Sequence, residues 1–261
     1  MHTFQTMRLL LPALALCALA QTAAAQTQTV CSITNLSPGW VVIDQRQCLC
    51  CGATGTTRRT QYTIRNISGL ATGSTVQVCS LNNLPAGWVV ISLTDCLSCC
   101  GAEGTTRRTK WTIKNISGLA SGATAQVCAL DNLPAGWVVI DLTDCLSCCG
   151  AEGTTRRTKW TIKNISGLTT GATAQVCALD NLPAGWVVIN LTDCLSCCGA
   201  EGTTRRTKWT IKNISGLPAG TRVQVCSLQN IPSGWATISQ EQCLCCGATG
   251  SNRTRWTIKK L

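Results

Sequence analysis

The most constraining feature of the chain is a repeat. Cys31, Cys79, Cys128, Cys177 and Cys226 recur at intervals of 48, 49, 49 and 49 residues. The same text surrounds each: Gln77-Val78-Cys79, then Asn83-Leu84-Pro85-Ala86-Gly87-Trp88-Val89-Val90-Ile91, then Cys96-Leu97-Ser98-Cys99-Cys100-Gly101, then Thr105 to Asn115. Gly101 to Leu119 reappears letter for letter at 150–168 and at 199–217. Self-similarity at this period marks an array of supersecondary units, so one unit and its junction define the whole fold. The units run 26–75, 76–124, 125–173, 174–222 and 223–261. The end units share a shorter cysteine cluster, Cys48-Leu49-Cys50-Cys51 and Cys243-Leu244-Cys245-Cys246, which lacks the serine of the middle three. Atypical ends suit a stack whose outer faces meet water, and they also suit an older two-unit protein whose inner copy multiplied.

Ahead of the array, residues 1–25 read as a secretory leader. Arg8 supplies the charge, Leu9 to Ala20 the apolar run and Ala23-Ala24-Ala25 the small-residue cleavage site. The apolar run is short for a membrane span, and no second run of spanning length follows. The expectation is a secreted or cell-surface protein, with the periplasm as the other exported location. His2, Phe4 and both methionines fall in the leader. The formal charge of +11 becomes +10 once Arg8 is removed with it. Such a balance favours anionic partners.

One unit reads as all-β. Gln77 to Leu81 and Trp88 to Ser92 form two strands joined by a short loop, with Pro85 and Gly87 placed for a type I turn. The β-branched run Thr105 to Asn115 makes a third, longer strand. A unit of about 49 residues buries too little apolar surface to be comfortable alone. Covalent staples or neighbour contacts must supply the rest. The expected architecture is therefore a tandem array of five small disulfide-stapled β-units, either stacked like a solenoid or strung as beads.

Four cysteines per exported unit point to two disulfides. Of the three pairings, first-with-third and second-with-fourth avoids both a bond between adjacent cysteines and a bond across the short Cys48-x-Cys50 spacing. The expected pairs are Cys31–Cys50 and Cys48–Cys51; Cys79–Cys99 and Cys96–Cys100; Cys128–Cys148 and Cys145–Cys149; Cys177–Cys197 and Cys194–Cys198; Cys226–Cys245 and Cys243–Cys246. The alternative is an exported thiolate metal-binder, with Cys79, Cys96, Cys99 and Cys100 around Zn²⁺ or Cu⁺. The staple reading implies no metal and no cofactor.

With its only histidine in the leader, the array has no Ser-His-Asp or Cys-His chemistry to offer. Carboxylates are sparse, and Asp95, Asp144 and Asp193 read as turn or cap residues rather than catalytic acids. A non-enzymatic protein is the expectation. Alternation along the third strand puts Trp111 and Ile113 toward a core and a basic strip on the other face. That strip is Arg59 and Arg65 in the first unit, then Arg108, Lys110 and Lys114; Arg157, Lys159 and Lys163; Arg206, Lys208 and Lys212; Arg253, Arg255 and Lys259. It reads either as edge protection or as a ladder for an anionic polymer such as an acidic polysaccharide, with avidity from repetition. Specific nucleic-acid recognition is not expected, because the tryptophan faces away from the lysines. Self-association through unit edges is the other expected partnership. The Asn-Ile-Ser triplets at Asn66, Asn115, Asn164 and Asn213 read as turn residues that also match a glycosylation acceptor. The expected role is structural or adhesive, at the cell surface or in extracellular matrix.

Overall fold

A computed structural model describes residues 26–56, 58–79, 84–96, 99–101, 108–128, 133–145, 149–150, 157–177, 182–194, 197–199, 206–227, 230–247 and 253–261. The expected leader lies outside them. Each unit is one three-stranded antiparallel sheet. The first holds β1 (Thr27–Val30), β2 (Trp40–Cys48) and β3 (Arg59–Asn66). The second holds β4 (Thr75–Cys79), β5 (Trp88–Cys96) and β6 (Arg108–Asn115), the third β7 (Thr124–Cys128), β8 (Trp137–Cys145) and β9 (Arg157–Asn164). The fourth holds β10 (Thr173–Cys177), β11 (Trp186–Cys194) and β12 (Arg206–Asn213), the fifth β13 (Arg222–Cys226), β14 (Trp235–Cys243) and β15 (Arg253–Lys260). A 3-10 turn, Leu244–Cys246, follows β14.

The third strand of every unit is central, with the first and second strands on its two edges. In the second unit, Thr75 and Val89 both lie opposite Lys114, while Cys79 and Thr94 both lie opposite Lys110. The first two strands therefore do not pair with each other; the chain returns between them and enters β5 through a tight turn. Trp88 N–H donates to Pro85 O at 3.1 Å, and Gly87 sits at φ +79. Glycine is thus at the third turn position with positive φ, the type II arrangement rather than the expected type I. Its absent side chain is also required, since a Cβ there would lie 1.8 Å from Ser117 Oγ.

The second strand is longer than expected because it carries a bulge between Val90 and Ser92, which absorbs Ile91 and lets pairing continue to Cys96. Asp95 is consequently a strand residue, not a turn or cap residue. It accepts a hydrogen bond from Thr109 Oγ1 at 2.8 Å, and Asp144 from Thr158 and Asp193 from Thr207 do the same at 2.8 and 3.2 Å.

Units are stacked, and the cores are shared across junctions. One cluster joins Val76, Val78, Trp88, Val90 and Ile113 of the second unit to Val41 of the first and to Cys128 and Cys149 of the third. The next joins Val127, Trp137, Val139 and Ile162 to Val89 before them and Cys177 and Cys198 after them. The pattern repeats with Val138 before and Cys226 and Cys246 after the core of the fourth unit. Ile113, Ile162, Ile211 and Ile258 at the centres are fully buried. In Trp-Val-Val-Ile the second valine thus packs its own core and the first packs the next one, which is why the run is continuous rather than alternating.

Connecting segments tie the stack as well. Asn115 Nδ2 donates to Leu70 O at 2.8 Å while its Oδ1 accepts from Ser117 N–H at 2.9 Å. Asn164 and Asn213 repeat both bonds on Leu119 and Leu168. Among the described residues the Asn66 side chain makes the local bond to Ser68 alone, accepting from its N–H.

The two ends are polar at the positions where a neighbour is missing. Opposite Ile64 stands exposed Gln28, where the other four units have buried Val76, Ala125, Ala174 and Val223 opposite the equivalent isoleucine. In the last unit Ala236 and Thr237 replace the two valines, and Thr237 is exposed.

Candidate functional site

The first and fourth cysteines of every unit are bonded: Cys31–Cys51, Cys79–Cys100, Cys128–Cys149, Cys177–Cys198 and Cys226–Cys246, with Cα separations of 5.3 to 5.5 Å. The second and third are bonded in the end units, Cys48–Cys50 and Cys243–Cys245. Cys99 and Cys197 are also oxidised; Cys148 and the side chains of Cys96, Cys145 and Cys194 lie outside the described residues. First-with-third pairing, as in Cys31–Cys50 or Cys79–Cys99, and second-with-fourth pairing, as in Cys48–Cys51 or Cys96–Cys100, are therefore both corrected. Cys128–Cys148, Cys145–Cys149, Cys177–Cys197, Cys194–Cys198, Cys226–Cys245 and Cys243–Cys246 are displaced with them.

The reason is backbone direction. Cys51, Cys100, Cys149 and Cys198 adopt left-handed φ of 52 to 61°, each followed by a positive-φ glycine. In these four units the turn carries the fourth cysteine back to the opposite edge, where the first cysteine ends its strand; in the last unit the 3-10 turn Leu244–Cys246 does so without a left-handed cysteine. The second and third cysteines are left beside each other. The turn brings the Cα atoms of Cys48 and Cys50 to 5.1 Å, inside the span a disulfide bridges.

The long-range bond also acts between units. Cys79, Cys128, Cys177 and Cys226 are 1 to 4% exposed because each packs into the core of the preceding unit. Cys31 has no preceding unit and is exposed.

The basic residues lie on the central strand, so edge protection does not explain them. Lys110, Lys114, Lys159, Lys163, Lys208 and Lys212 are half-buried, as are Arg65 and Arg255. Arg59, Arg108, Arg206, Arg253 and Lys259 are exposed, and the Arg157 side chain lies outside the described residues. Each of the six middle-unit lysines lies opposite uncharged residues. Lys110, Lys159 and Lys208 lie between a disulfide cysteine and Thr94, Thr143 or Thr192. Lys114, Lys163 and Lys212 lie between a threonine and the first valine of the Trp-Val-Val run. These six make no hydrogen bond or ion pair with the described residues. In the last unit, by contrast, Arg255 meets Glu241 at 2.5 Å. Basic strands of successive units are not hydrogen-bonded to one another, so they do not oppose each other directly, although within the last unit Arg222 lies opposite Lys259.

Open clefts lie at the first and last junctions. One of about 470 Å³ is walled by Leu36, Pro38, Trp40, Val78 and Pro85. Another of about 490 Å³ is walled by Pro183, Trp186, Ile231, Trp235 and Lys260, whose Nζ stands 5.8 Å from the Trp235 ring centre. Trp88, Trp137, Trp186 and Trp235 are 7 to 8% exposed and act as core residues. Among the described residues no helix is long and apolar enough to cross a membrane. Comparison with protein-family models, curated proteins and solved structures returned no match.

Proposed function

We propose that the chain is an exported, non-enzymatic scaffold that holds an anionic polymer, such as an acidic polysaccharide, along its lysine rows. The observation that carries this reading is the set of six half-buried lysines with no acidic partner among the described residues, repeated on the central strands of the three middle units. The staples and shared cores do not themselves call for a cation at these strand positions. A polyanion supplies the missing counter-charge, and repetition multiplies weak contacts by avidity. Disulfides at every junction support export, because such bonds persist in oxidising compartments. An adhesive or matrix role at the cell surface follows from polymer binding without chemistry.

The test is salt elution of the folded, oxidised protein from a sulfated-polysaccharide resin. Lys110→Gln, Lys159→Gln and Lys208→Gln together are expected to release it at clearly lower salt. Arg46→Gln, Arg58→Gln and Arg222→Gln remove the same charge from other places and are expected to shift elution much less. Equal shifts for the two triple variants would reduce the interaction to net charge and overturn the ladder.

A further inference from the structure

We propose that the first unit contains a reduction-gated metal site in which Cys31, Cys48, Cys50 and Cys51 hold one Zn²⁺ as four thiolates. The inference is independent of polymer binding and rests on sulfur geometry and access.

The sulfurs of Cys48, Cys50 and Cys51 lie within 4.8 Å of one another, and Cys31 is bonded to Cys51. Two disulfides are thus packed side by side, with Cys50 Sγ 3.8 Å from Cys51 Sγ across the gap. Zinc–thiolate bonds of about 2.3 Å put the sulfurs of a tetrahedral site about 3.8 Å apart. The gap between the two disulfides already has that width. Opening each bond lets its two sulfurs move apart from bonding distance to about 3.8 Å, a movement open to side-chain rotation at the four cysteines.

The last unit has the same sulfur grouping, with Cys245 Sγ 3.9 Å from Cys246 Sγ. Its long-range bond is sealed, however. Cys226 is 4% and Cys246 0% exposed, both inside the core of the fourth unit. Reduction there would have to breach a junction. In the first unit Cys31 is exposed and Cys48, Cys50 and Cys51 are half-buried, since no unit precedes them. Both disulfides are open to a hydrophilic reductant.

The chemistry balances with a dithiol as reductant. Each disulfide accepts two electrons and two protons from one dithiol, which closes to its own disulfide. Zn²⁺ then binds the four thiols as thiolates and releases their protons, so binding strengthens as pH rises. A small-molecule disulfide that takes two electrons from each thiol pair, and is itself reduced to thiols, re-forms the two bonds and returns the metal to solution.

The experiment treats the full oxidised chain briefly with an immobilised dithiol under anaerobic conditions. Opened thiols are mapped by alkylation and mass spectrometry, and a parallel sample is titrated with Co²⁺ as a spectroscopic stand-in. The expected result is four alkylated cysteines in the first unit, and one Co²⁺ per chain with tetrahedral thiolate absorption that Zn²⁺ displaces. Cys31→Ser with Cys51→Ser is expected to abolish that absorption. Cys226→Ser with Cys246→Ser is expected to leave it unchanged. The proposal is overturned if these thiols open and bind no metal, or if they resist the dithiol. Equal binding by the unreduced chain, or by the Cys31→Ser, Cys51→Ser variant with its circular dichroism intact, overturns it too.

Discussion

Val138→Ala separates a stack from a string of beads. Val138 is 5% exposed and belongs to the third unit by sequence, yet it packs with Val176, Trp186, Val188 and Ile211 of the fourth. Truncation removes two carbon groups from that core. At about 0.8 kcal/mol each this is about 1.6 kcal/mol of burial. The incompletely collapsed cavity raises the total to roughly 2 kcal/mol. In a one-dimensional stack the loss falls on the coupling between neighbours. The assay is guanidinium denaturation of the oxidised protein, followed by tryptophan fluorescence and by far-ultraviolet circular dichroism. The expected outcome is a lower midpoint, with the units on either side of this junction unfolding less cooperatively. Ala236→Val is the control, because position 236 is the equivalent site with no unit beyond it. It is expected to change stability by less than about 0.5 kcal/mol, as surface substitutions usually do. A Val138→Ala effect no larger than that of the control would refute shared cores and restore independent beads.

The two disulfide classes should differ in weight. Removing Cys128 and Cys149 together opens a loop of sequence separation 21 and is expected to cost about 3 kcal/mol, whereas removing Cys243 and Cys245, with separation 2, should cost about 1 kcal/mol; thermal denaturation of the two double variants compares them directly. Asn164→Ala strands the Leu119 carbonyl and the Ser166 amide, and is expected to cost about 1 to 3 kcal/mol. Asn66→Ala removes only a local bond to Ser68 and should cost less in the same denaturation series. A larger loss at Asn66 would contradict the ladder of connecting segments.

The sequence reveals the fold class because β-branched runs, turn glycines and a 49-residue period are local signals. It conceals strand order. Nothing in Gln77 to Leu81 or Trp88 to Ser92 says that a third strand, some 20 residues on, will insert between them. Bond pairing is concealed for the same reason. Spacing arguments treat Cys48-x-Cys50 as extended chain, but the chain turns tightly there, as it does in the 3-10 turn at Leu244–Cys246. The end caps are legible only after the junction is known. Gln28, Ala236 and Thr237 are unremarkable polar or small residues until each is aligned with a buried valine or alanine that touches a neighbouring unit. The basic strip, in turn, was recognisable from alternation, while its central position in the sheet required the register.

Stacking changes what repetition can do for a ligand. Beads on flexible connections would give lysine rows of variable spacing and would lose order on each contact. Here Leu70, Leu119 and Leu168 are hydrogen-bonded to the following unit through Asn115, Asn164 and Asn213, and the long-range disulfide of every unit after the first is embedded in the core before it. Rows at Lys110, Lys159 and Lys208 are therefore held at fixed separation before any polymer arrives, and the ordering cost is met during folding. Gln28 and Thr237 stand at the two ends where inner units have the valines or alanines that join them to a neighbour, while Leu49, Ile238, Leu244 and Leu261 of the end units are exposed. A chain with one middle unit deleted should then fold as a shorter stack, whereas deletion of an end unit should expose a valine or disulfide face and drive aggregation. Equal solubility of the two deletions would show that the ends do not cap the stack.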